Sequence, residues 1–183
     1  MQIKLIILDF DGTLATTEQA NMQAYILALR EEGFSLSEEE FNSRFFGMRC
    51  PEFLEALGVE DADQRERIRR RKIEIYPSLF DSVKLNEPLW EFAQAFRRKG
   101  VKVWIVSTGQ LENLTNAMRH LGIEGMVDGL LYSDDVKEPK PSPEAFLKVM
   151  EREGVTPEET LIFEDSMVGI AAAEASGAAY IKV

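Results

Sequence analysis

Residues 7–18 read ILDFDGTLATTE, an apolar run that ends in two aspartates one residue apart, followed at once by a glycine. Side chains alternate across a strand, so Asp9 and Asp11 share a face if the chain stays extended through both. The run IKLIILDF that leads into them has few polar residues, as expected for a strand buried on both faces of a parallel sheet. The stretch therefore predicts a buried strand with two carboxylates at its end.

The rest of the chain first turns helical and then alternates. The segment after the first strand shows the capping signals of several short helices. Farther along, helical segments alternate with the apolar runs VKVWIV, GLLY, TLIFE and AAYIKV. This alternation favours right-handed crossovers and an α/β fold with a doubly wound parallel sheet. We therefore predict an α/β core of residues 1–14 and 86–183, interrupted by an all-α insertion of residues 15–85.

The bulk composition limits the possible functions. The 183 residues are 45% hydrophobic, enough to bury the core of one compact domain with a subdomain. A net charge of -11 argues against a nucleic acid partner and against an anionic membrane surface. Cys50 is the only cysteine, which excludes an intrachain disulfide and is typical of a reducing compartment. With no spanning apolar stretch and no secretory signal, a cytoplasmic location is expected.

Four groups of polar residues fall where the predicted strands end or in the loops beyond them. They are Asp9 with Asp11, Ser107 with Thr108, Lys140, and Glu164 with Asp165. In a doubly wound parallel sheet, ligands bind outside the carboxyl ends of the strands. We therefore expect these groups to lie together at one edge of the sheet.

The chemistry of these groups suits a phosphate ester. Asp9 and Asp165 could share one Mg²⁺, which commonly takes one or two carboxylates together with phosphate oxygens of a substrate. Ser107 and the backbone N–H groups after it can donate to phosphate oxygens, and Lys140 supplies a fixed positive charge. The cation would offset the repulsion between an acidic site and an anionic substrate.

The pair Asp9 and Asp11 can divide the acid–base work of phosphoryl transfer. One carboxylate can attack phosphorus, but the leaving oxygen then needs a proton, and the water that clears the intermediate must lose one. A second carboxyl nearby can do both, because two close carboxyls push their pKa values apart. Taken alone, Asp9 and Asp11 could form a turn, and Glu164 with Asp165 could cap a helix. The occurrence of all four polar groups at the ends of predicted strands favours a reaction site instead.

The sequence resembles the haloacid dehalogenase superfamily, in the subgroup with a helical cap inserted after the first motif. Four motifs carry the resemblance, in that family's order, and together they cover nearly the whole chain. They are DFDGT (9–13), VST (106–108), the lysine of KEPKPSPEAF (137–146) and FEDSMVGIAAAEASG (163–177). One such motif can recur by chance, but all four in order are specific.

The resemblance implies a role for each matching residue of the reaction. Asp9 would be the nucleophile and Asp11 the general acid and base. Ser107, Thr108 and Lys140 would bind the phosphoryl group. Family members that cleave carbon–halogen bonds lack the second aspartate, since displacement of halide needs no proton on the leaving group. Asp11 therefore favours phosphoryl transfer.

The resemblance also implies a Mg²⁺ site and a cap that selects the substrate. Mg²⁺ would be bound by Asp9, Asp165 and the backbone carbonyl of Asp11, with Glu164 assisting indirectly or through water. The cap would choose the substrate because it closes over the leaving group. Within the cap, Arg49 lies in a loop that resembles the family's substrate-contacting cap loop. It could bind a distal group of the substrate or be a solvated loop arginine.

Three functions stay open at this point. The expected one is a Mg²⁺-dependent phosphatase of a small phosphorylated metabolite, a monomer or weak homodimer that acts through an aspartyl-phosphate. A sugar phosphomutase of the β-phosphoglucomutase type shares the fold and motifs. Such enzymes carry a histidine at the cap hinge, at about the position that Asn21 occupies here, whereas the one histidine of this chain is His120. This difference disfavours the phosphomutase without excluding it. A non-catalytic binding protein that kept the fold is the third, and it would not need Asp11. The basic stretch RERIRRRK (65–72) is typical of a solvated helix face.

Overall fold

The computed structural model describes residues 2–45, 48 and 50–183. The chain divides into two compact units, a sheet unit and a helical unit. The sheet unit comprises Met1–Thr16 and Lys84–Val183, and the helical unit comprises Thr17–Val83. The helical unit is thus slightly shorter than the insertion of residues 15–85 that the sequence predicts. Among the described residues, no helix combines the length and the apolar character needed to cross a membrane.

The helical unit consists of helices, of which α2 and α4 begin at side-chain caps. They are α1 (Glu18–Glu31), α2 (Glu38–Glu40), α3 (Cys50–Ala56) and α4 (Ala62–Ile75). A π-helical turn follows α2 and a 3₁₀ segment follows α4. The side chain of Ser37 accepts the N–H of Glu40 at 3.1 Å, and Asp61 accepts the N–H of Asp63 at the same distance. These caps satisfy N–H groups that have no partner inside the helix.

Aromatic rings and one buried lysine fill the interior of the helical unit. The rings of Tyr25 and Phe53 meet edge to face, with centroids 4.9 Å apart. Lys72 is buried, and its Nζ lies 4.3 Å from the ring centroid of Tyr76 and 5.1 Å from that of Tyr25. Ring faces attract an ammonium that burial would otherwise destabilise. The prediction of a solvated face over residues 65–72 is therefore wrong for Lys72, whereas exposed arginines of the stretch form surface ion pairs.

The sheet unit is built on five parallel strands in the order β3-β2-β1-β4-β5. They are β1 (Leu5–Leu8), β2 (Lys102–Val106), β3 (Gly129–Leu131), β4 (Thr160–Glu164) and β5 (Ala179–Lys182). All four residues of β1 are fully buried, as expected for the central strand of a sheet covered on both faces. All five apolar runs that predicted strands form strands here.

Helices cover both faces of this sheet. They are α5 (Glu87–Arg97), α6 (Leu111–His120), α7 (Glu144–Glu153) and α8 (Met167–Ser176). Phe146 of α7 and Ala172 of α8 belong to one core cluster with Ile162 of β4. Phe92 of α5 meets the ring of Phe163, the next residue of β4, at 5.5 Å between centroids. Because neighbours on a strand point to opposite faces, the predicted doubly wound α/β fold is confirmed.

Gly129 gives a direct test of how tightly two strands of the sheet pack. It pairs with Trp104 of β2, and a Cβ added at Gly129 would lie 2.4 Å from Cζ2 of that indole. The indole cannot easily move, because it is buried and its Nε1 donates to Glu153 at 2.7 Å. We expect Gly129→Ala to lower the free energy of unfolding in urea by about 1–3 kcal/mol, as overpacking does.

The control for Gly129→Ala is the same change in a Trp104→Phe background. A phenyl ring is shorter than the indole and leaves room for the added methyl group. The cost of Gly129→Ala should therefore be smaller in that background. An equal cost in both backgrounds would show that the glycine is needed for another reason.

Candidate active site

The turn that follows β1 forms the first part of the site. The N–H of Asp9 donates to the carbonyl of Phe163 at 3.0 Å, which continues the parallel ladder one residue past β1. The chain then turns through Gly12, whose φ of 92° lies in the left-handed region that favours glycine. Asp9 is buried and Asp11 is half-buried. Both expected carboxylates therefore lie at the carboxyl edge of the sheet, in different surroundings.

Lys140 reaches this edge from the loop before α7 and pairs with two carboxylates. Its Nζ lies 2.6 Å from Oδ1 of Asp9 and 3.5 Å from Oε2 of Glu164, and its side chain is only 3% exposed. Burial alone would lower the pKa of Lys140, but attraction to Asp9 and Glu164 outweighs burial and raises it. The ammonium is thus a permanent positive charge beside Asp9.

The carboxyl of Asp9 is strongly perturbed by its surroundings. Burial raises its pKa to about 8 from the ordinary value of 3.8, although Lys140 acts in the opposite sense. The nearby carboxylates of Glu164 and Asp11 raise this pKa further. The single ammonium of Lys140 does not neutralise these carboxylates. The site therefore favours the binding of a further cation.

The end of β4 supplies the other carboxylates of a metal site. One carboxylate oxygen from each of Asp9, Glu164 and Asp165 lies within 4.8 Å of the other two. Hard oxygen donors grouped in this way suit Mg²⁺, so the residues present fit the predicted cofactor. The sequence predicts an indirect part for Glu164, and its carboxylate lies in the same cluster as those of the two aspartates.

Ser107, directly after β2, lies beside Asp11. Its Oγ donates to Oδ2 of Asp11 at 3.0 Å and accepts the N–H of Gly109 at 2.9 Å. The serine is buried. The structure therefore brings Ser107 to the predicted edge of the sheet, in contact with one of the two aspartates.

The two remaining predicted contacts stand apart from this arrangement. Thr108 is exposed, and no hydrogen bond from its hydroxyl to the site's carboxylates is recorded among the described residues. It lies on the same turn as Ser107, where a bound phosphate could still reach it. Arg49, the predicted substrate contact, lies outside the described residues.

Three supporting residues were not singled out by the sequence analysis. Thr13 donates to Oδ1 of Asp165 at 2.9 Å, and Ser166 donates to Oε1 of Glu164 at 2.6 Å. A Cβ added at Gly169 would lie 1.8 Å from that same Oε1. Of these, Ser166 had the clearest sequence signal, since a serine before an apolar helical run is typical of an N-cap. In the structure its side chain accepts the N–H of Gly169 at 3.1 Å.

Comparisons with known proteins agree with this fold. The family model of haloacid dehalogenase-like hydrolases matches residues 6–183. A phosphorylated carbohydrates phosphatase of Thermotoga maritima is 29% identical over 96% of this chain and 82% of its own length. A fructose-1-phosphate phosphatase of Escherichia coli is 29% identical over 94% of this chain and 92% of its own length.

A solved structure shows the same fold along almost the whole chain. The crystal structure of CbbY from Rhodobacter sphaeroides, in complex with phosphate, superimposes with a TM-score of 0.89 at 24% identity. The match covers 99% of this chain and 86% of that one. At that identity the likeness speaks for the fold, and the chemistry must be argued from the residues themselves.

Proposed function

The chain belongs to the haloacid dehalogenase-like hydrolases, and from that premise we propose that it is a Mg²⁺-dependent phosphatase of small phosphorylated metabolites. One observation carries the proposal. Asp9 lies buried at the end of β1, 2.6 Å from the Lys140 ammonium and grouped with Glu164 and Asp165, while the carboxyl of Asp11 is bonded to Ser107. The two aspartates thus have separate surroundings, and a bound Mg²⁺ would counteract the burial that raises the pKa of Asp9, so that Asp9 could act as a carboxylate nucleophile.

In the first step of the proposed reaction, an oxygen of Asp9 attacks the phosphorus of the ester. The new bond joins Asp9 to phosphorus and the bond from phosphorus to the leaving oxygen breaks. The leaving oxygen keeps that electron pair and takes a proton from Asp11, so an alcohol departs and Asp11 becomes a carboxylate. Asp9 then carries the phosphoryl group.

In the second step, a water molecule clears the aspartyl-phosphate. The water oxygen attacks phosphorus while Asp11 takes its proton, and the bond from phosphorus to Asp9 breaks. Phosphate leaves, Asp9 is again a carboxylate and Asp11 is again protonated. No group beyond ester and water is consumed, so the cycle is a net hydrolysis.

Positive charge and hydrogen-bond donors hold the phosphoryl group in both steps. Lys140 lies beside Asp9 and offers its ammonium to the phosphoryl oxygens. The hydroxyl of Thr108 and the backbone N–H groups of the turn after Ser107 would donate to the same oxygens. Because Lys140 is buried, its attraction is weakened little by solvent.

Asp9, Glu164, Asp165 and the backbone carbonyl of Asp11 would hold the Mg²⁺. When bound, the cation supplies charge that draws the phosphate ester towards an otherwise acidic site and stabilises charge on the phosphoryl oxygens. Thr13 and Ser166 hold two of these carboxylates in place through the hydrogen bonds described above.

A sugar phosphate is the substrate class we propose, since two of the relatives are named for phosphorylated carbohydrates and fructose 1-phosphate. The net charge of -11 disfavours a nucleic acid substrate. A cytoplasmic location is part of the same proposal, because the chain has a single cysteine.

The test of this function is phosphate release from a panel of phosphorylated metabolites in the presence of Mg²⁺. We expect sugar phosphates to release phosphate, and chelation of the metal to stop it. Conversion of β-glucose 1-phosphate into glucose 6-phosphate without net release would establish a phosphomutase instead. Activity in neither assay would favour a non-catalytic binding protein.

Mg²⁺ should also stabilise the fold, independently of any activity. A ligand that binds only the native state raises the free energy of unfolding by mass action, by about 2.7 kcal/mol at 100 times its dissociation constant. We expect the thermal midpoint to rise with Mg²⁺ concentration. Asp165→Asn should abolish the rise, since asparagine retains an oxygen for Thr13 but loses the charge.

The matched control for the Mg²⁺ titration is Asp128→Asn. This carboxylate bonds the side chain of Arg97 and the N–H of Val103, outside the acidic cluster. The thermal midpoint of Asp128→Asn should still rise with Mg²⁺ as in the wild type. A rise of equal size in Asp165→Asn would place the metal elsewhere.

A further inference from the structure

We propose that Ser107 is a positioning residue for Asp11, and that it holds the carboxyl group in the orientation in which Asp11 exchanges the proton of the reaction. The inference rests on the proposed function and adds to it. The sequence predicts a hydrogen bond from the Ser107 hydroxyl to the phosphoryl group. The structure shows the one proton of that hydroxyl donated to Asp11, and we assign Ser107 to this contact.

The direction of the Ser107 hydroxyl follows from counting its donors and acceptors. A serine has one proton to donate and lone pairs that accept. The N–H of Gly109 donates to Oγ at 2.9 Å, and Oγ in turn lies in donor contact with Oδ2 of Asp11 at 3.0 Å. The hydroxyl proton therefore points to Oδ2. The serine is only 4% exposed, so competition from water is weak.

Gly109 leaves the space that this hydroxyl occupies. A Cβ added at Gly109 would lie 3.1 Å from Oγ of Ser107 and 3.7 Å from Oδ2 of Asp11. The first distance is short enough to push the hydroxyl aside by a few tenths of an ångström. The absence of a side chain at Gly109 thus leaves room for the contact between Ser107 and Asp11.

The consequence concerns the orientation of the Asp11 carboxyl group. Because Oδ2 accepts from Ser107, the carboxyl group is held in one orientation. In the proposed reaction Asp11 gives a proton to the leaving oxygen as the bond to phosphorus breaks, and takes one from water in the second step. Holding the carboxyl group for both transfers is an orientation effect, which small displacements impair strongly.

Leaving groups that differ in their need for a proton test this assignment. The p-nitrophenolate of p-nitrophenyl phosphate leaves without much help, whereas the alkoxide of a sugar phosphate needs the proton of Asp11. The quantity to measure is kcat/KM, which reports on the step in which the leaving group departs. We expect Ser107→Ala to lower kcat/KM for the sugar phosphate at least about tenfold more than for the aryl ester.

Three further variants separate this effect from phosphate binding and from folding. Ser107→Thr keeps the hydroxyl and should restore the wild-type ratio between the two substrates. Thr108→Ala removes a neighbouring phosphate contact and should lower both substrates equally. Gly109→Ala keeps the serine but displaces it, so it should shift the ratio in the same direction as Ser107→Ala, by a smaller factor.

The result that overturns the assignment is an equal loss for both substrates in Ser107→Ala, with wild-type behaviour in Gly109→Ala. Ser107 would then act on the phosphoryl group alone. If the wild-type protein hydrolyses neither ester, the proposed function fails, and this inference fails with it. The two failures are distinct, because the first is seen in an active enzyme.

Discussion

Asp9→Asn should lower the rate of phosphate release by a factor of at least about 10³, while the protein stays folded. An amide does not attack phosphorus as a carboxylate does, so the first step has no nucleophile. The side chains have nearly the same shape, and Lys140 keeps its second partner, Glu164, at 3.5 Å. The measurement is kcat on the best sugar phosphate of the panel, with the circular dichroism spectrum as the check on folding.

Asp128→Asn is the matched control for Asp9→Asn, because it makes the same chemical change in the same unit. Its carboxylate bonds Arg97 at 2.9 Å and touches none of the proposed catalytic groups. Loss of this carboxylate should lower the free energy of unfolding and leave kcat unchanged. If Asp9→Asn kept more than about a tenth of the activity, Asp9 would not be the nucleophile.

Gly169→Ala should be the most damaging change that touches no reacting atom. The added Cβ would lie 1.8 Å from Oε1 of Glu164, a distance no structure accommodates. Glu164 is buried and tied to Lys140 and Ser166, so its carboxylate must leave the cluster or the start of α8 must shift. We expect Mg²⁺ affinity to fall by about 10–100-fold, as when a group that orients a metal ligand is lost.

The measurement for Gly169→Ala is the Mg²⁺ concentration that gives half-maximal phosphate release. Ala171→Gly is a control on the same helix at an exposed position. It should cost about 1 kcal/mol of stability through helix propensity and leave the Mg²⁺ requirement unchanged. An unchanged requirement in Gly169→Ala would show that Glu164 is not a ligand.

The sheet could be predicted from sequence because its signals are local. A central strand such as β1 needs an unbroken apolar run, and the helices between the strands end at glycines such as Gly154, which takes φ of 64°. Once the strands are parallel, the residues that follow them must share one edge. That is why Asp9, Ser107 and Glu164 could be placed together before any coordinates were known.

The finer arrangement could not be predicted, because it depends on which side chains come into contact in the folded chain. Tyr76 follows Lys72 by four residues, but nothing in the sequence indicates that the ring of Tyr25 also lies near its ammonium. Gly169 reads as an ordinary helix residue until the carboxylate of Glu164 is seen to occupy the space of its missing side chain. The bond from Ser107 to Asp11 likewise joins residues from two strand ends.

The central claim, an aspartyl-phosphate on Asp9, is tested most directly by trapping it in Asp11→Asn. This variant should still accept the phosphoryl group of p-nitrophenyl phosphate, whose leaving group needs little protonation, but should hydrolyse the intermediate slowly for want of a base. After an acid quench, mass spectrometry of the peptides should find one phosphoryl group, on Asp9, matched by a burst of one nitrophenolate per enzyme. A burst with no phosphorylated Asp9, or a phosphoryl group on another residue, would contradict the account.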